Sequence, residues 1–314
     1  MTHQAANPES DPLESAMRAL CAIGNTAPRS HYTKLETGVI HHLELQSTDS
    51  QAEISVNGQA ENRTPIVLLH GAGGGAANWY RLFAPLSLNH RVLAPDLPGF
   101  GLSDPITLEP PLGRQTAHIV ARWLDAHGLD RVHLIGTSFG GLAALRFAEH
   151  FPARVERLAV IDPAGAGPEV TRLAGLAHSM FAPLILSPSR RGTRWVLRNL
   201  LVRRRLDRRE EAALVEYLYQ SAKRAGPRFM VHALRRFTER GSQAEQPSAA
   251  ELARVEARTL VVWGRRDKFF PASHATALRQ RLPDARDVLL DSGHSPNWEA
   301  PDLLVDALRD FLKD

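Results

Sequence analysis

Three side chains of this sequence have the types and the chain order that acyl transfer through a covalent intermediate needs: a hydroxyl, an imidazole and a carboxylate. Ser138 is the central residue of Gly136-Thr137-Ser138-Phe139-Gly140, between the apolar run Val132–Ile135 and the helical run Leu142–Glu149. Glycines on both sides permit a sharp strand-to-helix turn from which the hydroxyl projects. The helix that starts behind it directs its amides and positive dipole end towards developing negative charge. A serine hydroxyl needs a base to become a competent nucleophile. Fourteen histidines compete for that role, and position decides among them. His294 follows the strand-like run Asp287–Leu290 through Asp291-Ser292-Gly293. That places it at a strand's carboxyl end, the rim where active groups of open α/β sheets collect. His41, His42 and His133 lie within strand patterns, and His118, His127, His150 and His274 on apparent helices or their ends. An orienting acid is offered by Asp267, which follows Leu260–Trp263 through Gly264-Arg265-Arg266. Asp162, directly after Leu158–Ile161, is its rival. The pattern Gly-x-x-Asp-x-x-x-Pro around Asp267 has few structural reasons to exist, so Asp267 is preferred.

The same chemistry needs N–H donors for an oxyanion. His70-Gly71-Ala72-Gly73-Gly74-Gly75 follows the run ending at Leu69, and its small residues let backbone approach a substrate carbonyl. The amides of Ala72 and Phe139 are the expected pair, with Gly73 as the substitute for Ala72. The loop lacks Gly-Lys-Ser/Thr and is not G-x-G-x-x-G, so a nucleotide is not its expected ligand. No cofactor and no metal are implied. The single cysteine, Cys21, can form neither an internal disulfide nor a cysteine zinc cluster.

These residues presuppose a particular scaffold. The runs at 65–69, 91–95, 132–135 and 158–161 are short, Val-, Ile- and Leu-rich, and separated by helix-length segments. Such alternation implies βαβ crossovers and a mostly parallel sheet covered on both faces. Two half-buried antiparallel strands are expected before them, near Gly38–Gln46 and Ala52–Asn57. After Asp162 the pattern breaks. Helical stretches are expected at Val170–Leu186, Thr193–Val202, Arg208–Arg224 and Arg228–Arg240, and strands resume at Thr259–Trp263 and Asp287–Leu290. The organisation is therefore a loosely ordered arm (1–30), a first core segment (31–165), a helical cap inserted after the sixth strand (166–248) and a second core segment (249–314).

The composition, 43% hydrophobic and 23% charged over 314 residues, is that of a globular protein with a sizeable core. No segment approaches the roughly 20 apolar residues needed to span a bilayer, and no secretory signal pattern opens the chain; a cytoplasmic protein is expected. The net charge of +4 is unevenly placed. Between Arg190 and Arg240 stand fourteen Arg and one Lys against five acidic residues. A solvated helical face explains such a run; contact with a membrane surface or an anionic substrate is the sharper reading. No aromatic platform or DNA-binding motif accompanies it, so nucleic acid is not an expected partner.

Taken together, His70–Gly74, Asp96-Leu97-Pro98-Gly99-Phe100-Gly101-Leu102-Ser103-Asp104, Gly136–Gly141, Trp263-Gly264-Arg265-Arg266-Asp267 and Gly293-His294-Ser295-Pro296 resemble the motifs of the α/β-hydrolase superfamily. The resemblance is to its capped, epoxide-hydrolase-like or meta-cleavage-product-hydrolase-like branch. It covers about residues 60–165 and 258–314, while arm and cap carry no recognised motif. It implies the α/β-hydrolase fold and a Ser138–Asp267–His294 triad. Epoxide hydrolases and haloalkane dehalogenases carry Asp where this chain has Ser138, so an alkyl-enzyme route is disfavoured and acyl chemistry favoured. The leading expectation is a serine hydrolase cleaving a carboxylic ester of a small or medium apolar substrate. The alternatives are a C–C bond hydrolase of a meta-cleavage-product dienoate and a non-catalytic binding protein on the same fold. Substrate choice is expected to lie in the cap, where Ala174–Ser187 clusters Met180, Phe181, Leu184, Ile185 and Leu186. The expected partner is a small molecule with an apolar acyl or aromatic part.

Overall fold

The continuous apolar runs become the inner strands of one sheet. The computed structural model describes residues 11–48, 63–106, 109–169, 187–227, 235–236, 238–239 and 242–313. Within them β1 (Arg29–Leu35) and β2 (Gly38–Leu45) form an antiparallel hairpin, followed by β3 (Ile66–Leu69), β4 (Val92–Pro95), β5 (Val132–Thr137) and β6 (Val155–Ile161). A small separate hairpin, β7 (Thr238–Glu239) and β8 (Ser242–Gln243), precedes β9 (Arg258–Gly264) and β10 (Ala285–Leu290). The main sheet has eight strands in the order β1-β2-β4-β3-β5-β6-β9-β10. β2 pairs antiparallel with β1 and β4, and every later pairing is parallel. β3, β4 and β5 are buried along their whole length. That is why their sequences are apolar throughout instead of alternating.

Helices cover both faces. α1 (Pro12–Ile23) and α2 (Phe83–Ser87) lie on one side, with the cap helix Arg208–Ala225 and the C-terminal helix Pro301–Lys313. Their core includes Leu20, Leu68, Trp79, Tyr217 and Phe311. α3 (Leu112–Ala126) and α4 (Phe139–His150) cover the other side, around Trp123, Leu134 and Phe147. The mostly parallel, helix-flanked sheet and an insertion after the sixth described strand agree with the α/β-hydrolase fold read from the sequence.

Four local expectations fare differently. The loosely ordered arm of 1–30 is corrected for residues 12–23. They form α1, N-capped by Asp11, whose carboxylate accepts from Leu13 N at 2.8 Å, and they bury Leu13, Ala16, Met17, Leu20 and Cys21. This helix packs on Arg208–Ala225, a partner about two hundred residues away that its own sequence could not name. β1 was not expected either, because Arg-Ser-His-Tyr-Thr-Lys is the polar sequence of an exposed edge strand. At Thr238–Gln243 a hairpin stands where a helix and its end were expected. Within the cap, Arg190–Val196 is helical and runs into the π-helical turn Leu197–Leu201, and Asp207 caps Arg208–Ala225. The expected strand Ala52–Asn57, the helix Val170–Leu186 and most of Arg228–Arg240 lie outside the described residues.

Candidate active site

Ser138 stands between β5 and α4 in a backbone conformation that L-residues seldom adopt, φ 52° and ψ −116°. The turn is held by tight packing on both flanks. A Cβ on Gly136 would come within 2.3 Å of Gly140 O, and one on Gly140 within 2.2 Å of Leu69 O. Ser138 N donates to Ile161 O at 2.9 Å, and Ala164 N donates to Ser138 O at 3.0 Å. The hydroxyl is thus fixed by β6 as well as by its own strand.

His294 enters from the loop after β10. Its Nε2 lies 3.1 Å from Ser138 Oγ, and its Nδ1 lies 2.8 Å from Asp267 Oδ2. The other carboxylate oxygen of Asp267 accepts from Phe269 N at 2.6 Å and Phe270 N at 3.2 Å. With Oδ1 held by two amides, Oδ2 is turned to the imidazole. Phe269 and Phe270 also flank the ring, with centroids 4.7 and 5.4 Å away. The three residues read from the sequence are therefore brought into one hydrogen-bonded line, hydroxyl to imidazole to carboxylate. This is the geometry of a general base oriented by an acid.

Asp162, the rival acid, sits at the end of β6 in the same neighbourhood but makes no bond to His294. Its Oδ1 accepts from Gly264 N at 2.8 Å, and its Oδ2 is buried beside the Asp267 carboxylate. Burial first, and the adjacent charge of Asp267 second, push its carboxyl well above the usual range. The two acids are thus separated by environment: Asp267 bonds the imidazole and two amides, while burial beside Asp267 disfavours the charged form of Asp162.

The His70–Gly75 loop lies against the hydroxyl, since a Cβ on Gly71 would be 3.1 Å from Ser138 Cβ. Ala72 follows in an exposed turn with Gly73 at φ 79°, and Phe139 opens α4, buried. Two residues without an assigned role in the sequence reading brace this loop. His70 Nε2 accepts from Leu97 N at 2.8 Å and its Nδ1 lies 2.8 Å from Gly71 O, so the proton resides on Nδ1. Burial lowers its pKa, which keeps the ring neutral in that tautomer. Asp96 accepts from Ala76 N at 2.5 Å, from Leu102 N at 2.8 Å and from His41 Nδ1 at 2.7 Å. Burial alone would raise its pKa, but the neighbouring His41 and these bonds outweigh it and the carboxyl is lowered. The signal was present as His-Gly and Asp-x-Pro-Gly-x-Gly; what was missing was the partner of each.

Among the described residues, two groups of side chains have ligand atoms close enough for a metal: Asp162 with Asp267 and His294, and His31 with His42 and Glu44. In the first, Asp267 and His294 already bond to each other. In the second, Glu44 is engaged by Arg91 Nε at 2.8 Å and Nη2 at 3.1 Å. The apolar cap stretch Ala174–Ser187 lies outside the described residues but for Ser187.

A strand, a tight turn carrying a hydroxyl, and partners on the carboxyl ends of later strands define an α/β-fold hydrolase. Residues 64–301 match the family described as alpha/beta hydrolase fold, and the chain belongs to that family. It is 32% identical over 267 residues to the 2-hydroxy-6-oxo-6-phenylhexa-2,4-dienoate hydrolase of Comamonas testosteroni, covering 79% of this chain and 87% of that protein. Among solved structures, it is similar to a bacterial membrane phospholipase A (TM-score 0.75, 27% identity, covering 96% of this chain and 89% of that one). It also shares the fold of the carboxylesterase CesB of Bacillus subtilis (TM-score 0.74, 20% identity, covering 96% of each).

Proposed function

We propose that this chain is a serine hydrolase that cleaves a carboxylic ester of a small or medium apolar substrate through an acyl-enzyme. The observation that carries the reading is the continuous line from Ser138 Oγ through His294 to Asp267, at 3.1 and 2.8 Å. His294 Nε2 takes the hydroxyl proton as Oγ attacks the carbonyl carbon. Asp267 holds the imidazole with its proton on Nδ1 and stabilises the cation that forms. The amides of Ala72 and Phe139, or of Gly73 in place of Ala72, receive the oxyanion. His294 then gives the proton to the leaving alkoxide, and water repeats the sequence to release the acid. The donor assignment is supported by the closeness of the His70–Gly75 loop to the nucleophile, since a Cβ on Gly71 would lie 3.1 Å from Ser138 Cβ.

A second reading, C–C bond hydrolysis of a ring-fission dienoate, is favoured by the Comamonas testosteroni relative, whose name describes that activity. Both readings use the same hydroxyl, so a substrate panel separates them. Wild type and Ser138→Ala are assayed on p-nitrophenyl esters of graded chain length and on a phenyl-substituted dienoate. The proposal expects turnover of the esters that Ser138→Ala abolishes, with fluorophosphonate labelling lost in the same variant. Turnover of the dienoate alone would transfer the proposal to C–C cleavage. Labelling and turnover both absent in the wild type would leave the non-catalytic alternative standing.

A further inference from the structure

The cap carries a feature that the proposed chemistry does not use. Between Arg190 and Arg209 stand nine arginines and one acidic residue, a formal +8 in a chain whose total is +4, so the remainder is net negative. Part of this charge is paired. Arg190 bonds Glu216, and Arg194 and Arg198 share Glu211. Among the described residues, Arg191, Arg204, Arg205, Arg208 and Arg209 pair with no carboxylate, and all five are exposed. Arg208 lies one helical turn before Glu211, which ties this group to Arg194 and Arg198 in one patch. Within it Trp195 is 53% exposed and Val196 36% exposed, although each has buried neighbours available in the sequence at Leu197 and Val202. Trp195 follows Arg191 by four residues, so the two share a helix face.

The patch sits against the catalytic rim. A Cβ on Gly293, the residue before His294, would lie 3.0 Å from both Arg203 Cγ and Leu201 O. Lys268, beside Asp267, donates to Asn199 O at 3.0 Å. Glu299 accepts from Gly293 N and from the backbone N–H groups of Arg203 and Arg204. Unpaired arginines around an exposed indole, next to a site that is to take apolar esters, match an anionic bilayer surface. Its headgroups complement the guanidinium groups, and its interfacial zone takes an aromatic ring with one apolar and one polar end. A small anionic substrate would explain the arginines but not Trp195 and Val196.

We propose that the arginine-rich cap segment, with Arg191, Trp195, Val196, Arg204 and Arg205, docks the protein on anionic lipid bilayers and so presents the Ser138 site to the interface. The test uses the full-length Ser138→Ala protein and two kinds of vesicle, phosphatidylcholine alone and phosphatidylcholine mixed with phosphatidylglycerol, in a sedimentation assay at low and high salt. Binding to the mixed vesicles only, weakened by salt, is expected. Each arginine near such a surface accounts for about fivefold in affinity, so Arg204→Gln/Arg205→Gln is expected to weaken binding roughly 25-fold. Trp195→Ala weakens it independently of salt. These exposed side chains are not part of the core. The same substitutions in the Ser138 background should therefore leave hydrolysis of a soluble ester unchanged, which also reports that the variants fold. Equal binding to both vesicles, no binding, or full binding by the Arg204/Arg205 variant overturns the proposal. Failure of the ester reading would show separately, as absent turnover of soluble ester whatever the vesicles do.

Discussion

Replacing Asp162 by Asn tests the division of labour between the two acids. Asp162 and Asp267 both end strands near His294, and a sequence reading can only rank them. The structure gives Asp267 the bond to His294, while Asp162 accepts from Gly264 N at 2.8 Å and lies buried beside Asp267. Asparagine keeps an oxygen for that amide. It also suits the left-handed backbone at this position, φ 44°, better than any other non-glycine residue except Asp. If Asp162 is a neutral carboxylic acid, Asn mimics it, and kcat/KM of Asp162→Asn should stay near wild type. Asp267→Asn should lose on the order of 10⁴, the usual consequence of presenting the base in the wrong tautomer. Stability provides a second reading with a defined sign. The folded-state pKa of Asp162 is raised by burial and by Asp267, so the native state holds a proton that the unfolded chain gives up near its ordinary value. Wild-type stability therefore falls as pH rises from that ordinary value towards the folded pKa, by at most about 1.4 kcal/mol per pH unit. Asn does not titrate, so its advantage should grow with pH across this window in urea melts. A loss of activity in Asp162→Asn comparable to that in Asp267→Asn would refute the assignment, as would an advantage that shrinks with rising pH.

Other consequences follow from the same geometry. Gly140→Ala would force a methyl to within 2.2 Å of Leu69 O, so it should cost about 1–3 kcal/mol in denaturant melts, and more in activity as Ser138 shifts. His42 and His133 are buried, and burial lowers the pKa of each to about 3, with neighbouring histidines, and for His133 also Arg157 and Arg131, adding to the effect. Both are neutral in the native state and protonate more readily once unfolded. The stability they contribute is present above the unfolded value near 6.5 and is lost as pH falls towards 3. Urea midpoints measured from pH 7 down to pH 4 should drop, and His133→Gln should flatten that slope by up to about 1.4 kcal/mol per pH unit.

The parts of the site that the sequence disclosed are those made by short-range rules. Ser138 follows its strand directly, and Asp267 and His294 follow theirs after two and three residues, so position along the chain predicts position on the rim. Glycines at 136 and 140 announce close approach for the same local reason. The parts that were missed depend on partners far away in sequence. α1 is an amphipathic stretch with no visible partner until the helix Arg208–Ala225 covers it. β1 is a polar run until β2 gives it a hydrogen-bonding edge, with His31 opposite His42. Asp96 is one acid among many until it is seen accepting from Ala76, Leu102 and His41. Periodicity and motif carry no information about such pairings, because the energy resides in a contact whose other half is elsewhere.

One carboxylate joins the two halves of this molecule at the place where function requires it. Glu299 is buried, at 4% exposure, yet among the described residues no cationic side chain hydrogen-bonds it. Its donors are backbone N–H groups: Gly293 from the loop that carries His294, and Arg203 and Arg204 from the cap. An anion can be kept in such a place only while those amides stay aligned, since losing one leaves buried charge undercompensated. Displacing the Arg203–Arg204 segment would therefore loosen Gly293 as well, and with it the backbone that carries His294. A shift of the cap backbone at this edge would reach His294. Access to Ser138 is then compatible with an intact imidazole only through a part of the cap that Glu299 does not hold. The arginine-bearing segment is accordingly a fixed rim of the site, which is the mechanical property a docking surface needs if it is to set the distance between a bilayer and a nucleophile.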